Sequence, residues 1–429
     1  MDQARTATAA AQRPDGRQGR RDERFREIRT RTEDLACGLS PEDQTVQSMP
    51  DCSPTKWHRA HTTWFFETFL LIPHRPGYRP FDPDYGYLFN SYYEAVGSRY
   101  PRPQRGMVTR PGVAEIAAYR AHVDEAMLRL LEDRDETLTP LLDLGLAHEE
   151  QHQELILMDL LHLFSLNPLN PAYRPFRPAA AAATADAGHW IRFDGGIHAV
   201  GHGEDGFAFD NEGPRHAVLL RPFRLQARPV TNAEWRAFIE DGGYRTPTLW
   251  LSDGWAAVQA QGWMAPGYWR ERDGAWHQFT LMGELPVDEA APVCHVSLYE
   301  ADAFARWAGK RLPTEFEWEV AASGLEETGN TLGGGLLRPV SAPPRQDGRP
   351  GQMFGDVWEW TSSAYARYPG YRPAAGAVGE YNGKFMANQF VLRGGGCATP
   401  DGHVRATYRN FFYPHQRWMF AGVRLAEDV

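Results

Sequence analysis

The chain has 429 residues, of which 23% are charged, and a formal net charge of −10; that length suits two or three domains, each with its own core. Its basic residues are almost all Arg and are scattered among acids, which argues against a nucleic-acid groove or a polybasic membrane patch. Four widely spaced cysteines, Cys37, Cys52, Cys294 and Cys397, form no C-x-x-C pair and read as reduced thiols; with no apolar leader-like stretch at the start, the expected setting is the cytoplasm.

The opening RPDGRQGRRDERFREIRTR interleaves Arg with Asp and Glu and reads as a solvated tail, residues 1–21, running into a helix. From residue 22 to 169 the pattern is helical. REIRTRTEDLACGL, SPTKWHRAHTTWFFETFLL, PGVAEIAAYRAHVDEAMLRLLE and TLTPLLDLGLAHEEQHQELILMDLLHLF each carry apolar residues at three- and four-residue spacing. Ser53-Pro54 and Pro111-Gly112 provide helix starts. Four such helices predict an up-and-down bundle, which often builds metal sites from inward-facing side chains. The most apolar run, ELILMDLLHLF, is short and broken by Asp159 and His162, so no membrane span is expected.

Within the second helix Trp57, His61 and Trp64 recur at i, i+4 and i+7 and predict a buried face, with His58 rotated toward the surface. On the fourth, His148 and His152 stand one turn apart, on roughly the face that carries Leu141, Leu144 and Leu155. Two inward imidazoles are costly to bury without a partner, and a metal ion is a natural one. His148-Glu149-Glu150-Gln151-His152 matches the H-E-x-x-H helix of zinc peptidases, with Glu149 as general base. The continuation Gln153-Glu154-Leu155, however, carries no signature of a third ligand. His61 with His148 and His152 would instead form an all-nitrogen site. Three neutral imidazoles leave the ion's charge uncompensated and positions open, which suits Fe(II) taking an anionic sulfur ligand, a substrate nitrogen and O2; the residue types alone leave zinc open.

The Pro- and Ala-rich NPAYRPFRPAAAAATADAG, residues 170–188, reads as a linker. From 189 to 429 short β-like runs alternate with Gly, Asp, Asn and Pro turns, tryptophans are frequent, and helices are expected in TNAEWRAFIEDGG, LYEADAFARWAG and PTEFEWEVAAS. No internal repeat is visible. The expectation is an α+β domain with much irregular structure.

SPTKWHRAH together with HEEQHQE resembles the DinB-like helical domain of the sulfoxide synthases of ergothioneine biosynthesis, the hercynine oxygenases. RPVTNAEWRAFIEDGGY, PVCHVSLYEADAFARWAGKRLPTEFEWEVAA, GDVWEWTSSAY, VLRGGG and ATYRNFF…FAGVRLA resemble the formylglycine-generating-enzyme-like, C-type-lectin-like α+β domain fused to it. The resemblance implies non-haem Fe(II) and O2 joining a thiol, cysteine or γ-glutamylcysteine, to an imidazole carbon of hercynine (trimethylated histidine), with a sulfoxide as product. It implies metal ligands at His61, His148 and His152, Gln151 against the hercynine imidazole, Asn410 at its polar end, and Phe411 and Phe412 along the site, where aromatic faces suit a trimethylammonium group. Glu149 then reads as a helix-surface residue rather than a protease base.

In NSYYEAVGSRYPRPQRG, Tyr92 and Tyr93 resemble the subgroup whose active-site tyrosines come from the helical domain; a tyrosine there would donate a proton or hydrogen atom so that C–S bond formation outruns thiol oxidation. Arg102 and Arg105 match an R-x-x-R-G pattern that holds the thiol's carboxylate, a task suited to the guanidinium fork. Phe412 stands where better-known members have an acid that holds the amino group of γ-glutamylcysteine, which makes free cysteine a plausible co-substrate. Gly396 replaces a common Ser. The cysteine pair of true formylglycine-generating enzymes is missing and Cys397 stands alone, so the second domain reads as a scaffold over the iron site. A selenoneine synthase using a selenosugar, an ovothiol-type synthase, and a zinc-dependent DinB-like hydrolase or thiol transferase remain alternatives. The partners expected are small molecules, neither nucleic acid nor membrane; the sequence sets no oligomeric state.

Overall fold

The computed structural model describes residues 21–179, 189–203 and 205–429. The tail expected at 1–21 therefore lies, apart from Arg21, outside the described residues, as does the end of the expected linker, 180–188.

The first half is built on four long helices: α1 (Arg21–Ala36), α2 (Thr55–Phe66), α3 (Val113–Glu132) and α4 (Thr139–Ser165). Pro140 sits in the first turn of α4, where its missing N–H would have found no intrahelical partner. Every residue of α2 is buried, so this helix runs through the interior rather than lying on it. It meets α4 closely. A Cβ placed on Gly145 would come within 2.8 Å of the Phe66 ring and 2.9 Å of the Phe65 ring, so the crossing depends on a bare backbone one turn before His148. A π-helical turn, Glu67–Leu71, carries α2 onward.

In the second half, capping boxes start three helices where they were expected: Thr231/Glu234 for Asn232–Glu240, Ser297/Glu300 for Leu298–Trp307 and Thr314/Glu317 for Glu315–Ala322; in each, side chain and backbone satisfy each other's orphan donors. A further helix, Ser252–Gln261, was not expected. It buries only Gly254 and Val258, so it carries no apolar stripe that a periodicity argument could detect.

A four-stranded sheet orders Asn410–Phe412, Phe390–Arg393, Trp358–Ala364 and Ala421–Gly422. The first three pair antiparallel and the last runs parallel to its neighbour. The register sets Asn410 opposite Leu392 and Phe412 opposite Phe390, presenting the Asn-Phe-Phe edge strand toward the bundle's cavity. Buried ion pairs, among them Arg424–Glu359 at 2.7 Å and Arg393–Glu315 at 2.8 Å, tie the irregular segments to this sheet.

The two halves share one hydrophobic cluster, and α4 supplies the polar part of their contact. Glu154 accepts from the Trp358 indole and the Thr399 hydroxyl, both at 2.6 Å, and Asp159 accepts from the Trp418 indole at 3.1 Å. Among the described residues no helix is long and apolar enough to cross a membrane.

Candidate metal centre and cavity

His61, His148 and His152 are buried and bring one ligand atom each to within 4.8 Å of one another. Their hydrogen bonds fix which nitrogens are free. His61 Nδ1 lies 2.6 Å from the Phe89 carbonyl and must donate to it, leaving the lone pair on Nε2, which has no partner. Among the described residues neither ring nitrogen of His148 has a partner. His152 Nδ1 is 2.8 Å from His58 Nδ1, and His58 Nε2 is 3.0 Å from Asp159 Oδ2. The carboxylate can only accept, so His58 donates through Nε2 and accepts at Nδ1 from His152. His152 is thereby left with its lone pair on Nε2.

Burial pushes the His148 imidazole down to about 3. Burial first, and then the neighbouring His148, drive His61 and His152 well below the ordinary histidine value. Neutral imidazoles are the form that binds a metal. Buried lone pairs without partners are costly, and a divalent ion set between the three would satisfy them together. These residues fit a facial three-nitrogen metal.

Two expectations are corrected here. His58 is not on the surface: it is 2% exposed and acts as the middle member of an Asp159–His58–His152 chain. Such an outer partner orients a ligand and raises its basicity. The face argument failed because α2 is buried on all sides. Glu149 is not a helix-surface residue either. It is fully buried, accepting from Arg29 Nη1 at 2.9 Å, Arg120 Nη2 at 2.9 Å and Thr32 Oγ1 at 2.7 Å. Burial pushes its carboxyl up, but Arg29 and Arg120 outweigh burial and hold it below the ordinary value. It knits α1 and α3 to α4 and is unavailable as a peptidase base.

His148 and His152 open onto a cavity of about 370 Å³, within the range of small-ligand sites. His148, His152 and Gln151 line it, with Tyr92, Arg102 and Arg105 from the helical half and Asn410, Phe411 and Phe412 from the second half. Tyr93 stands behind this wall, fully buried, with its ring 5.6 Å from Trp64, 5.1 Å from Phe69 and stacked on Tyr92 at 4.7 Å. Arg105 is buried with its guanidinium 3.3 Å over the Trp57 ring. It donates to the neutral hydroxyls of Ser53 and Ser91 at 2.9 and 3.0 Å. Burial, and then Arg102 and Arg99, pull it well below the usual arginine value. A desolvated cation flanked by two others is a strong anion receptor. Arg99, on the same wall, was not anticipated.

Tyr381 is the larger omission. It comes from the second half, in a stretch of 3-10 turns around Ala377–Phe385, where no period marks a side chain for the site. Its ring lies 5.5 Å from His148, and its hydroxyl hydrogen-bonds to Gln151 Oε1. Gln151 Nε2 donates to Tyr408 Oη at 2.6 Å. Asn410 accepts from the Phe411 amide at 2.9 Å. Phe411 stacks on Tyr365 at 4.0 Å, and Phe412 packs edge-on to Trp418 at 5.5 Å. Glu154 also lines the cavity, its carboxyl pushed up by burial to about 7.

Known proteins align with both halves. A family described as the DinB superfamily matches residues 24–162, and one described as the sulfatase-modifying factor enzyme 1-like domain matches 176–347 and 335–429. The hercynine oxygenase of Mycolicibacterium thermoresistibile is 38% identical over 409 residues, 89% of this chain and 88% of its own length. That of Mycobacterium tuberculosis is 36% identical over 407 residues, 89% of this chain and 92% of its own. The formylglycine-generating enzyme of Streptomyces coelicolor is 30% identical over 288 residues, covering 56% of this chain and 89% of its own length.

Proposed function

The chain belongs to the hercynine oxygenase family, a DinB-like helical domain joined to a formylglycine-generating-enzyme-like α+β domain, and from that premise we propose that it is a non-haem Fe(II), O2-dependent enzyme joining hercynine to a thiol, cysteine or γ-glutamylcysteine, as a sulfoxide. The observation that supports this reading is the cluster of three buried, neutral imidazoles, His61, His148 and His152, each with one ring nitrogen left free for a metal, beside a cavity that also holds the buried Arg105. A bound Fe(II) would supply open positions for sulfur, imidazole and O2.

The chain's own residues have separable tasks. Arg105, with Arg102 and Arg99, receives the carboxylate of the thiol; among the described residues Arg105 donates to the hydroxyls of Ser53 and Ser91 rather than to a carboxylate, which leaves it ready for that ligand. Gln151 reaches the hercynine imidazole. Asn410, Phe411 and Phe412 take the polar end and the trimethylammonium group, which aromatic faces attract. Tyr381 and Tyr92 stand on the cavity wall, where a phenol can deliver a proton so that C–S bond formation outruns oxidation of the sulfur donor. Burial pushes the Tyr381 hydroxyl well above its ordinary value, which keeps that proton in place until it is needed.

The test is O2 uptake by anaerobically Fe(II)-loaded protein given hercynine with cysteine, γ-glutamylcysteine or a selenosugar, with products read by mass spectrometry. Hercynine-dependent uptake with a thiol yielding a sulfoxide is the expected result. Turnover with the selenosugar alone would move the assignment to selenoneine synthesis. No uptake with any donor, alongside tight zinc binding, would replace the oxygenase reading with a zinc hydrolase or thiol transferase.

A further inference from the structure

The hydrogen bonds of α4 also lead away from the histidines. Glu150 and His403 line a second cleft, between α1, α4 and loops of the second half. His403 Nδ1 is 3.2 Å from Glu150 Oε2, and its Nε2 is 3.2 Å from Tyr408 Oη. Tyr408 Oη is 2.6 Å from Gln151 Nε2, and Gln151 Oε1 meets Tyr381 Oη. Glu150, His403, Tyr408 and Tyr381 are all buried. The chain therefore runs unbroken from the second cleft to the tyrosine beside His148.

The directions of these bonds are not independent. A carboxylate only accepts, so the His403 nitrogen facing Glu150 carries the hydrogen and, in the neutral imidazole, the other carries the lone pair. Tyr408 must then donate to His403 and accept from Gln151. That places the amide nitrogen toward Tyr408 and the amide oxygen toward Tyr381, which donates to it. Taken alone, the Gln151 amide has two ends of nearly equal shape facing two hydroxyls, and either orientation would serve. The direction is imposed from the Glu150 end. An amide does not readily gain or lose a proton, so the chain orients groups rather than conducting protons.

We propose that Glu150, His403 and Tyr408 are positioning residues that set the direction of this chain and, through the Gln151 amide, fix the Tyr381 hydroxyl over the three-histidine site. What Tyr381 does there rests on the function proposed above; the direction of the chain does not. Removing the Tyr408 hydroxyl frees Gln151 to flip and Tyr381 to turn. Turnover should then leak toward oxidation of the sulfur donor, while the arginines that hold that donor are untouched.

Two measurements test this. In metal-free protein, ¹⁵N spectra of labelled histidine should show His403, assigned by the signals lost in His403→Gln, protonated at Nδ1 and bare at Nε2. In Glu150→Ala, which removes the acceptor, the Nε2–H tautomer should become populated. An Nε2–H tautomer in the wild type, or no change in Glu150→Ala, would overturn the imposed direction. In the Fe(II)-loaded enzyme, Tyr408→Phe should lower the coupled fraction of O2 turnover by roughly tenfold with the KM of the sulfur donor unchanged. That loss should vanish in a Tyr381→Phe background, because the two act as one unit. Independent, multiplying losses would overturn the proposal. A wild type that couples no hercynine would sink the functional reading instead, with the tautomer measurement still deciding the chain's direction.

Discussion

A buried nitrogen lone pair that no protein group takes up is the residue-scale signature of this molecule, and among the described residues His61, His148 and His152 carry one each once their tautomers are worked out. The clustering of these three histidines was legible in the sequence because helical spacing alone sets His148 and His152 on one face and His61 between two tryptophans. His58 was misread by the same argument, which assumes that a helix has an outside. Tyr381 was not legible at all: it reaches His148 from an irregular segment, and only the folded chain brings positions 148 and 381 together. Gln151, Asn410 and the two arginines were found through resemblance rather than spacing. Arg105 offers the sharpest residue-scale test. Arg105→Met keeps the stem over Trp57 and removes the charge. It should raise the KM for the thiol by about 10- to 100-fold, the worth of a charge-assisted hydrogen bond, with the KM for hercynine unchanged in steady-state kinetics. A matching rise in both constants would mean that Arg105 shapes the cavity rather than receiving the carboxylate.

At the scale of elements, the α2–α4 crossing carries the site. Both histidine pairs hang from it, and its closeness depends on Gly145 beneath Phe65 and Phe66. Gly145→Ala should cost about 1–3 kcal/mol through overpacking, read by denaturant titration, and should weaken metal binding because the added methyl displaces α4 one turn before His148. Stability at wild-type level would show that the rings move aside easily. The four helices were readable from period alone, since each has a continuous apolar stripe. The three capped helices of the second half fall in the stretches expected to be helical, and their Ser/Thr–Glu boxes fix where each begins. The helix Ser252–Gln261 does not, since it buries two residues and has neither stripe nor box. Glu149 sits at the same level of organisation. A carboxylate shared by Arg29, Arg120 and Thr32 joins three helices, and sequence cannot distinguish such a residue from a solvated glutamate because its partners lie 29 to 120 positions away.

For the whole molecule, the fold was read correctly as a helical bundle followed by an α+β unit that covers it, while the particular side chains that make the contact were not. The second half closes the cavity beside the histidines, and that contact produces the Glu154 linkage and the Tyr381 approach. Buried neutral histidines also make the protein acid-sensitive. Burial pushes His295, in the second half, down to about 3 from an ordinary 6.5. Between those values the unfolded chain binds a proton there that the folded chain does not. Stability should therefore fall as pH drops from 6.5 toward 3, at about 1.4 kcal/mol per pH unit for this one group. His295→Gln should flatten that part of the profile in equilibrium unfolding; an unchanged slope would assign the acid sensitivity elsewhere. The central claim is that His61, His148 and His152 hold an iron at which hercynine binds. Its most direct test is the electron paramagnetic resonance spectrum of the Fe(II)–nitric oxide adduct. The account predicts a stoichiometric high-spin signal that hercynine perturbs and that His148→Ala abolishes. A signal that survives in His148→Ala, or that hercynine leaves unaltered, would contradict it.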